Sequence, residues 1–278
     1  MAYKTILVHL DAGKGAEACT DAAFSFAQKF DAHVIGLHAL TIVPPPTWAM
    51  AEAGVAVESA RSKALTDIAA RVRASWDAAV RRANWSKSEW RSSSADALDA
   101  VTLHARYADL VVIAQDDGSG TSGVSEQFAQ RLLLAAGRPV LMVPYAREKR
   151  PIGENIVVAW NAGREATRAV TDALPLLQAA RQVSVTSFNP GPPDGGHGQV
   201  PGADIALFLS RHGVRVTVSQ YRAEDIDVGN QLLSRVSDLD ADLIVMGAYG
   251  RSRVSELILG GVTRTILESM TVPVLMSH

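Results

Sequence analysis

The stretch Ala241-Asp242-Leu243-Ile244-Val245-Met246-Gly247-Ala248-Tyr249-Gly250 decides the fold. Its unbroken apolar run from Leu243 to Met246 leaves no polar face. It therefore reads as a strand buried on both sides, the habit of a parallel sheet covered by helices. Gly247 and Gly250 end the run, and after nine further residues Gly260-Gly261-Val262-Thr263 opens a helical pattern. A glycine-rich strand-to-helix junction lets backbone N–H groups approach an anion, and the helix N-terminus adds donors and positive dipole charge. On these residues alone a phosphate loop and a plain turn with a helix cap both stand as readings.

Working outward, the same unit occurs twice. Tyr107-Ala108-Asp109-Leu110-Val111-Val112-Ile113 matches Asp240-Ala241-Asp242-Leu243-Ile244-Val245-Met246, and Thr5-Ile6-Leu7-Val8-His9-Leu10-Asp11-Ala12-Gly13 matches Asn155-Ile156-Val157-Val158-Ala159-Trp160-Asn161-Ala162-Gly163. Pro139-Val140-Leu141-Met142-Val143 pairs in turn with Pro273-Val274-Leu275-Met276. Three matches in one order at nearly one spacing indicate a duplication. Charges, Pro151 and Gly153 interrupt the pattern over 145–153, which sets the expected domains at 1–150 and 151–278.

Apolar strands alternate with amphipathic stretches in each copy, the signature of α/β architecture. The first copy is expected to place strands near 4–10, 32–39, 85–92, 110–114 and 140–143, the second near 155–160, 182–188, 214–220, 243–246 and 272–276. Helices are expected over 16–30, 55–82, 165–180 and 203–212, with proline- and glycine-rich loops at 44–46 and 190–202.

Composition narrows the function classes. The 278 residues are 47% hydrophobic and 20% charged with a net charge of −2, which excludes a disordered or collagen-like chain. Basic residues gather only at Arg81-Arg82 and around 147–150, so no nucleic-acid face is expected. Cys19 is the only cysteine, which suits a reducing compartment, and no apolar run reaches the roughly eighteen residues of a membrane span. A cytoplasmic protein without membrane attachment is expected.

Other constellations carry less. Asp238, Asp240 and Asp242 alternate like metal ligands but straddle a helix end and a strand start, so turn-forming roles are preferred. His9 and His38 fall on adjacent strands, where they could face each other and bind something small, but the preferred reading is partly buried residues with satisfied nitrogens. No G-x-S-x-G elbow occurs, and Gly118-Ser119-Gly120-Thr121-Ser122-Gly123 reads as a loop. Trp76, Trp85 and Trp90 suit packing of a long helix on the sheet.

With the residues in view, the second copy resembles a universal stress protein domain, whose fingerprint is Gly, two residues, Gly, nine residues, Gly, then Ser or Thr. Gly247, Gly250 and Gly260 fit that spacing, and 272–276 resembles the family's closing strand. The resemblance implies two tandem open, mostly parallel five-stranded sheets with helices on both faces, of the adenine nucleotide alpha hydrolase-like kind. It also implies that the closing strands pair about a pseudo-twofold axis, an intrachain pseudo-dimer to which a homodimer could be added.

The resemblance further implies ATP or another adenine nucleotide at the strand ends of the second copy, with Mg carried by the nucleotide. Gly247, Gly250 and Gly260 would line the phosphates, with Gly261 where the family has Ser or Thr, and with Val262 and Thr263 completing the loop. Met246 would pack on the nucleoside, and Asn161 stands where the family usually has Asp. Arg251 and Arg253 could approach phosphates. In the first copy Asp11 keeps the family's Asp, which accepts a hydrogen bond from the adenine or ribose side, but Ala114-Gln115-Asp116-Asp117-Gly118 occupies the loop position and its two carboxylates would repel phosphate, so that copy is expected to have lost ordinary ATP binding. The expected output is regulatory, through protein partners that the sequence does not identify. A slow ATP hydrolase and a nucleotide-independent interaction module remain as rival readings.

Overall fold

A computed structural model describes residues 2–40, 47–118, 127–146, 150–190, 202–222, 227–249 and 261–278, with the backbone alone at 47–58 and 61. The first half runs β1 (Thr5–His9), α1 (Ala16–Phe30), β2 (His33–His38), α2 (Thr47–Ala83), β3 (Ser88–Ser92), α3 (Ala97–Ala105), β4 (Leu110–Ala114), α4 (Phe128–Ala135) and β5 (Val140–Val143). The second runs β6 (Asn155–Ala159), α5 (Arg164–Ala179), β7 (Gln182–Phe188), α6 (Ala203–Arg211), β8 (Val216–Tyr221), α7 (Val228–Asp238), β9 (Leu243–Gly247), α8 (Gly261–Ser269) and β10 (Val274–Ser277).

The strands form one ten-stranded sheet in the order β3-β2-β1-β4-β5-β10-β9-β6-β7-β8, so each half repeats a single topology. All neighbours within a half are parallel, as β1 on β4 and β6 on β9 show. The halves meet where β10 runs antiparallel to β5, with Leu275 opposite Leu141. The two expected five-stranded sheets are thus continuous through their closing strands.

Burial follows from strand position. Ile6, Leu7, Val8, Leu110, Val111 and Val112 are fully buried because helices cover both faces of the central strands. Burying each such side chain contributes about 1.5–3 kcal/mol. The edge strands β3 and β8 are half-buried and more polar, which blunts the open edges. α1, α2, α5 and α6 pack on one face of the sheet, and α3, α4, α7 and α8 on the other.

The alternating aspartates are structural. Asp242 accepts hydrogen bonds from the N–H groups of Gly153, Glu154 and Asn155, and its repeat partner Asp109 accepts from Lys4 and Thr5. Asp240 pairs with Arg150 at 2.6 Å and Asp238 with Arg235 at 2.8 Å. Among the described residues no cluster of three acidic, histidine or cysteine side chains could hold a metal. No described helix is long and apolar enough to cross a membrane.

Several bounds differ from the sequence reading. α2 begins at Thr47 rather than near 55, and β8 and β10 each start two residues later than expected. The sequence reading placed no helix at α3, α4 or α7; with nine, eight and eleven residues they offer few turns over which a helical period can show. α3 and α7 are nonetheless announced by aspartate caps, Asp96 receiving the N–H of Leu98 and Asp227 those of Gly229 and Asn230.

Candidate nucleotide-binding site

In each half the chain runs outward from β1 or β6 through the next two strands on one side, then crosses back to place β4 or β9 on the other side. That switch point splays the loops at the carboxyl ends of the two central strands and leaves a crevice between them. In the second half the crevice is a cavity of about 280 Å³.

Its floor is Ala159, Trp160 and Asn161 from the end of β6 and Met246 and Gly247 from the end of β9. Phe188, ending β7, closes one side with Val228 and Leu232 of α7, and Gly261, Val262 and Thr263 of the first turn of α8 close the other. Phe188 is braced from behind by Tyr221, the ring centroids 5.8 Å apart, and Arg235 lies over Tyr221 at 4.5 Å. The cavity thus has an apolar, aromatic slot at one end and a helix N-terminus at the other. The first-turn N–H groups of a helix have no partner within it and carry the positive end of its dipole.

Two side chains add directional polarity. Asn161 Oδ1 accepts the N–H of Gly163 at 2.9 Å, which leaves its Nδ2 without a partner among the described residues. Thr263 is 4% exposed, and its hydroxyl likewise forms no hydrogen bond there. Gly247 is required by packing, since a Cβ on it would lie 2.5 Å from the backbone of Glu165 and Ala166. At Gly261 an added Cβ would meet nothing within 4 Å among the described residues.

Of the sequence-derived candidates, Asn161, Met246, Gly247, Gly261, Val262 and Thr263 come together around this one cavity. Gly250 and Gly260 lie outside the described residues, as do Arg251 and Arg253 and most of the two proline- and glycine-rich loops. The sequence reading did not single out Ala159, Phe188, Val228 or Leu232 as site residues. The spacing Val228, Leu232, Val236 behind the Asp227 cap was the available signal for the last two.

In the first half two buried rings stand at the positions of cavity residues. The repeat sets His9 against Ala159, and Phe128 against Val262, each eleven residues before the proline that opens the closing strand. His9 and Phe128 are 3% and 5% exposed with rings 5.0 Å apart, and His9 Nε2 bonds to the carbonyl of Ala39 at 2.9 Å. His38 Nδ1 bonds to the carbonyl of Leu10 at 2.7 Å, so both histidines have partners. The register puts His9 beside Leu37, and His38 therefore falls on the opposite sheet face.

The first-half loop carries its acidic charge as expected. Asp116 accepts the N–H of Gly118, and Asp117 lies 4.0 Å from Lys14. Gln115, where the second half has Ala248, donates to the carbonyls of Leu267 and Glu268 near the end of α8. One domain's degenerate loop thereby caps a helix of the other. Trp76 packs on Phe24 and Trp90, and Trp85 donates to the carbonyl of Ala32, the packing role expected of the tryptophans.

Fold and cavity together define a tandem α/β protein with a ligand-sized crevice at the switch point of its second half and two buried rings, His9 and Phe128, at the corresponding place in the first. The chain belongs to the universal stress protein family, whose model matches residues 2–144 and 154–278. Among solved structures it is similar to a universal stress protein from Archaeoglobus fulgidus DSM 4304, with TM-score 0.72 at 14% identity over 98% of this chain and 97% of that one. It is also similar to a putative universal stress protein from Pseudomonas aeruginosa UCBPP-PA14, with TM-score 0.60 at 17% identity over 99% and 93% of the two chains. At such identities these likenesses speak to fold. No curated protein matches the chain significantly.

Proposed function

We propose that the second domain, 151–278, binds ATP or a related adenine nucleotide, and that the output is a regulatory response to stress. The observation that carries this reading is the form of the cavity, a slot walled by Phe188, Leu232 and Met246 that runs to the N-terminus of α8. A flat purine suits the first part, and phosphate oxygens suit the amides and the unpartnered Thr263 hydroxyl at the second. Asn161 offers an N–H donor between them. Magnesium, if present, arrives on the phosphates.

The described lining of the cavity contains no carboxylate and no histidine, so it supplies no general base, which favours binding over hydrolysis. The first domain, 1–150, serves in this reading as a scaffold whose nucleotide crevice is filled by His9 and Phe128. The test is to denature freshly purified protein, identify any released small molecule by mass spectrometry, and titrate ATP, ADP and AMP into ligand-free protein by calorimetry. An adenine nucleotide in the extract or saturable binding supports the proposal. Neither would leave the interaction module as the better account, and steady phosphate release abolished by Thr263→Ala would favour the hydrolase.

A further inference from the structure

A second cavity of about 380 Å³ lies at the same edge of the sheet in the first domain, on the opposite face, where α1 and α2 diverge. It exists because α2 runs 37 residues where its counterpart α6 has nine, so that one wall has no equivalent in the second domain. Its volume falls within the range of small-molecule sites.

The floor is Leu10, Asp11, Ala12 and Gly13, leaving β1. Asp11 is only 7% exposed, and its Oδ1 accepts the N–H of Gly13 at 2.8 Å. Oδ2 accepts no hydrogen bond among the described residues. Burial pushes the Asp11 carboxyl above its ordinary range, with neighbouring His9 opposing the shift. A carboxylate held this far from water with one oxygen unused is costly unless a donor meets it.

The opposite wall carries Arg71, which forms no ion pair among the described residues. Val72 and Trp76 lie beside it on α2, both buried, and Trp76 is seated so closely on Gly36 that a Cβ there would come within 2.7 Å of its ring. α1 directs its N-terminus toward the same space, and no side chain caps it. A carboxylate with one oxygen unused and a guanidinium without an ion pair among the described residues therefore line one cavity, with the apolar Val72 and Trp76 beside them.

We propose that this cleft binds a small zwitterion of the α-amino acid class, its ammonium donating to Asp11 Oδ2 and its carboxylate received by Arg71 and the start of α1. The side chain of the ligand lies along Val72 and Trp76. This assigns the first domain a ligand of its own, distinct in chemistry and in sheet face from the nucleotide proposed for the second.

The test is calorimetric titration of the full chain with a panel of free α-amino acids, alongside the N-acetylated and decarboxylated forms of any that bind, and AMP and ATP. A free amino acid should bind saturably, while its N-acetylated and decarboxylated forms bind roughly tenfold more weakly or worse. Asp11→Asn, which keeps the acceptor for Gly13, and Arg71→Gln, an exposed change on α2, should each weaken binding to a similar extent. Arg71→Gln alone decides the matter if Asp11→Asn fails to fold. Absence of binding at millimolar amino acid, binding indifferent to both substitutions, or an adenine nucleotide bound through Asp11 would overturn the proposal. Nucleotide titration of Arg71→Gln reads the second domain separately, so failure of one site does not imply failure of the other.

Discussion

The rings of His9 and Phe128 lie 5.0 Å apart at the carboxyl end of β1, at the positions that Ala159 and Val262 occupy beside the open cavity of the second domain. His9 also spends its Nε2 on the Ala39 carbonyl, a main-chain group at the position of the cavity residue Phe188. The two halves therefore differ in the side chains that stand at this end of the central strand.

That difference can be transferred. Ala159→His should place an imidazole across the floor of the second cavity and weaken nucleotide binding by roughly a hundredfold, about 2.7 kcal/mol, with little loss of fold because the space already exists. Calorimetry with ATP, paired with a thermal melt, gives the answer. Unchanged affinity would mean that the nucleotide does not lie over Ala159.

At the other end of the cavity an added Cβ at Gly261 meets nothing within 4 Å among the described residues. Gly261→Ser should restore the hydroxyl of the family fingerprint and remove a glycine from the start of α8. Affinity for ATP should rise several-fold, and stability by about 0.5 kcal/mol. A serine that weakens ATP binding would show that phosphates do not reach this turn.

Gly247 is the contrary case. Its neighbours at 2.5 Å are backbone atoms of the first turn of α5, which cannot step aside like a side chain. Gly247→Ala should therefore cost about 1–3 kcal/mol and displace α5 from β9, visible as a lowered midpoint in urea. The first domain solves the same contact in reverse, with Ala114 on the strand and Gly15 opposite it, where a Cβ would come within 2.6 Å. A Gly247→Ala protein as stable as the parent would refute this account of the glycine.

These contrasts also mark what the sequence could show. The apolar runs of β1, β4, β6 and β9 announced a parallel sheet because strands buried on both faces have no polar alternation to disguise them, and the duplication fixed their order. The glycine spacing brought Gly247, Gly261 and Thr263 to one place. The aromatic end of the cavity was less legible, because Phe188 is the last residue of a strand and its repeat partner is Ala39, so nothing in the duplication points to it. The filling of the first crevice was hidden for a related reason. It depends on His9 and Phe128 meeting across more than a hundred residues of chain, a contact that no local period encodes.

The domains should be coupled through Gln115, which is 6% exposed and donates at 3.0 and 3.2 Å to the carbonyls of Leu267 and Glu268. Gln115→Ala leaves those groups at the end of α8 without the donor and should cost about 1–3 kcal/mol. Because α8 also supplies the first-turn amides of the cavity, ATP affinity should fall with it. Hydrogen exchange localised to α8 would verify the route, and uniform exchange across the chain would contradict it.

His9 gives the chain a pH dependence whose sign can be worked out. Burial holds its imidazole below the ordinary histidine range, opposed by nearby Asp11 and by the Ala39 carbonyl and reinforced by His38. In the unfolded chain the same residue titrates near 6.5. The unfolded state therefore binds the proton more readily, and the stability that neutral His9 permits is present above about pH 6.5 and drains as pH falls below it. The slope contributed by one such group is at most about 1.4 kcal/mol per pH unit. Asp11 works the other way, since its raised carboxyl favours the folded state on acidification, so the net slope of the parent is a sum of opposed parts. The difference between the parent and His9→Asn removes most of that ambiguity, because asparagine does not titrate and Asp11 stays in place. Urea melts of both proteins in steps from pH 7.5 to 5 should show the parent losing stability faster than the variant below about pH 6.5. Parallel curves would mean that His9 accepts its proton equally well in both states, and that the filled crevice of the first domain admits water.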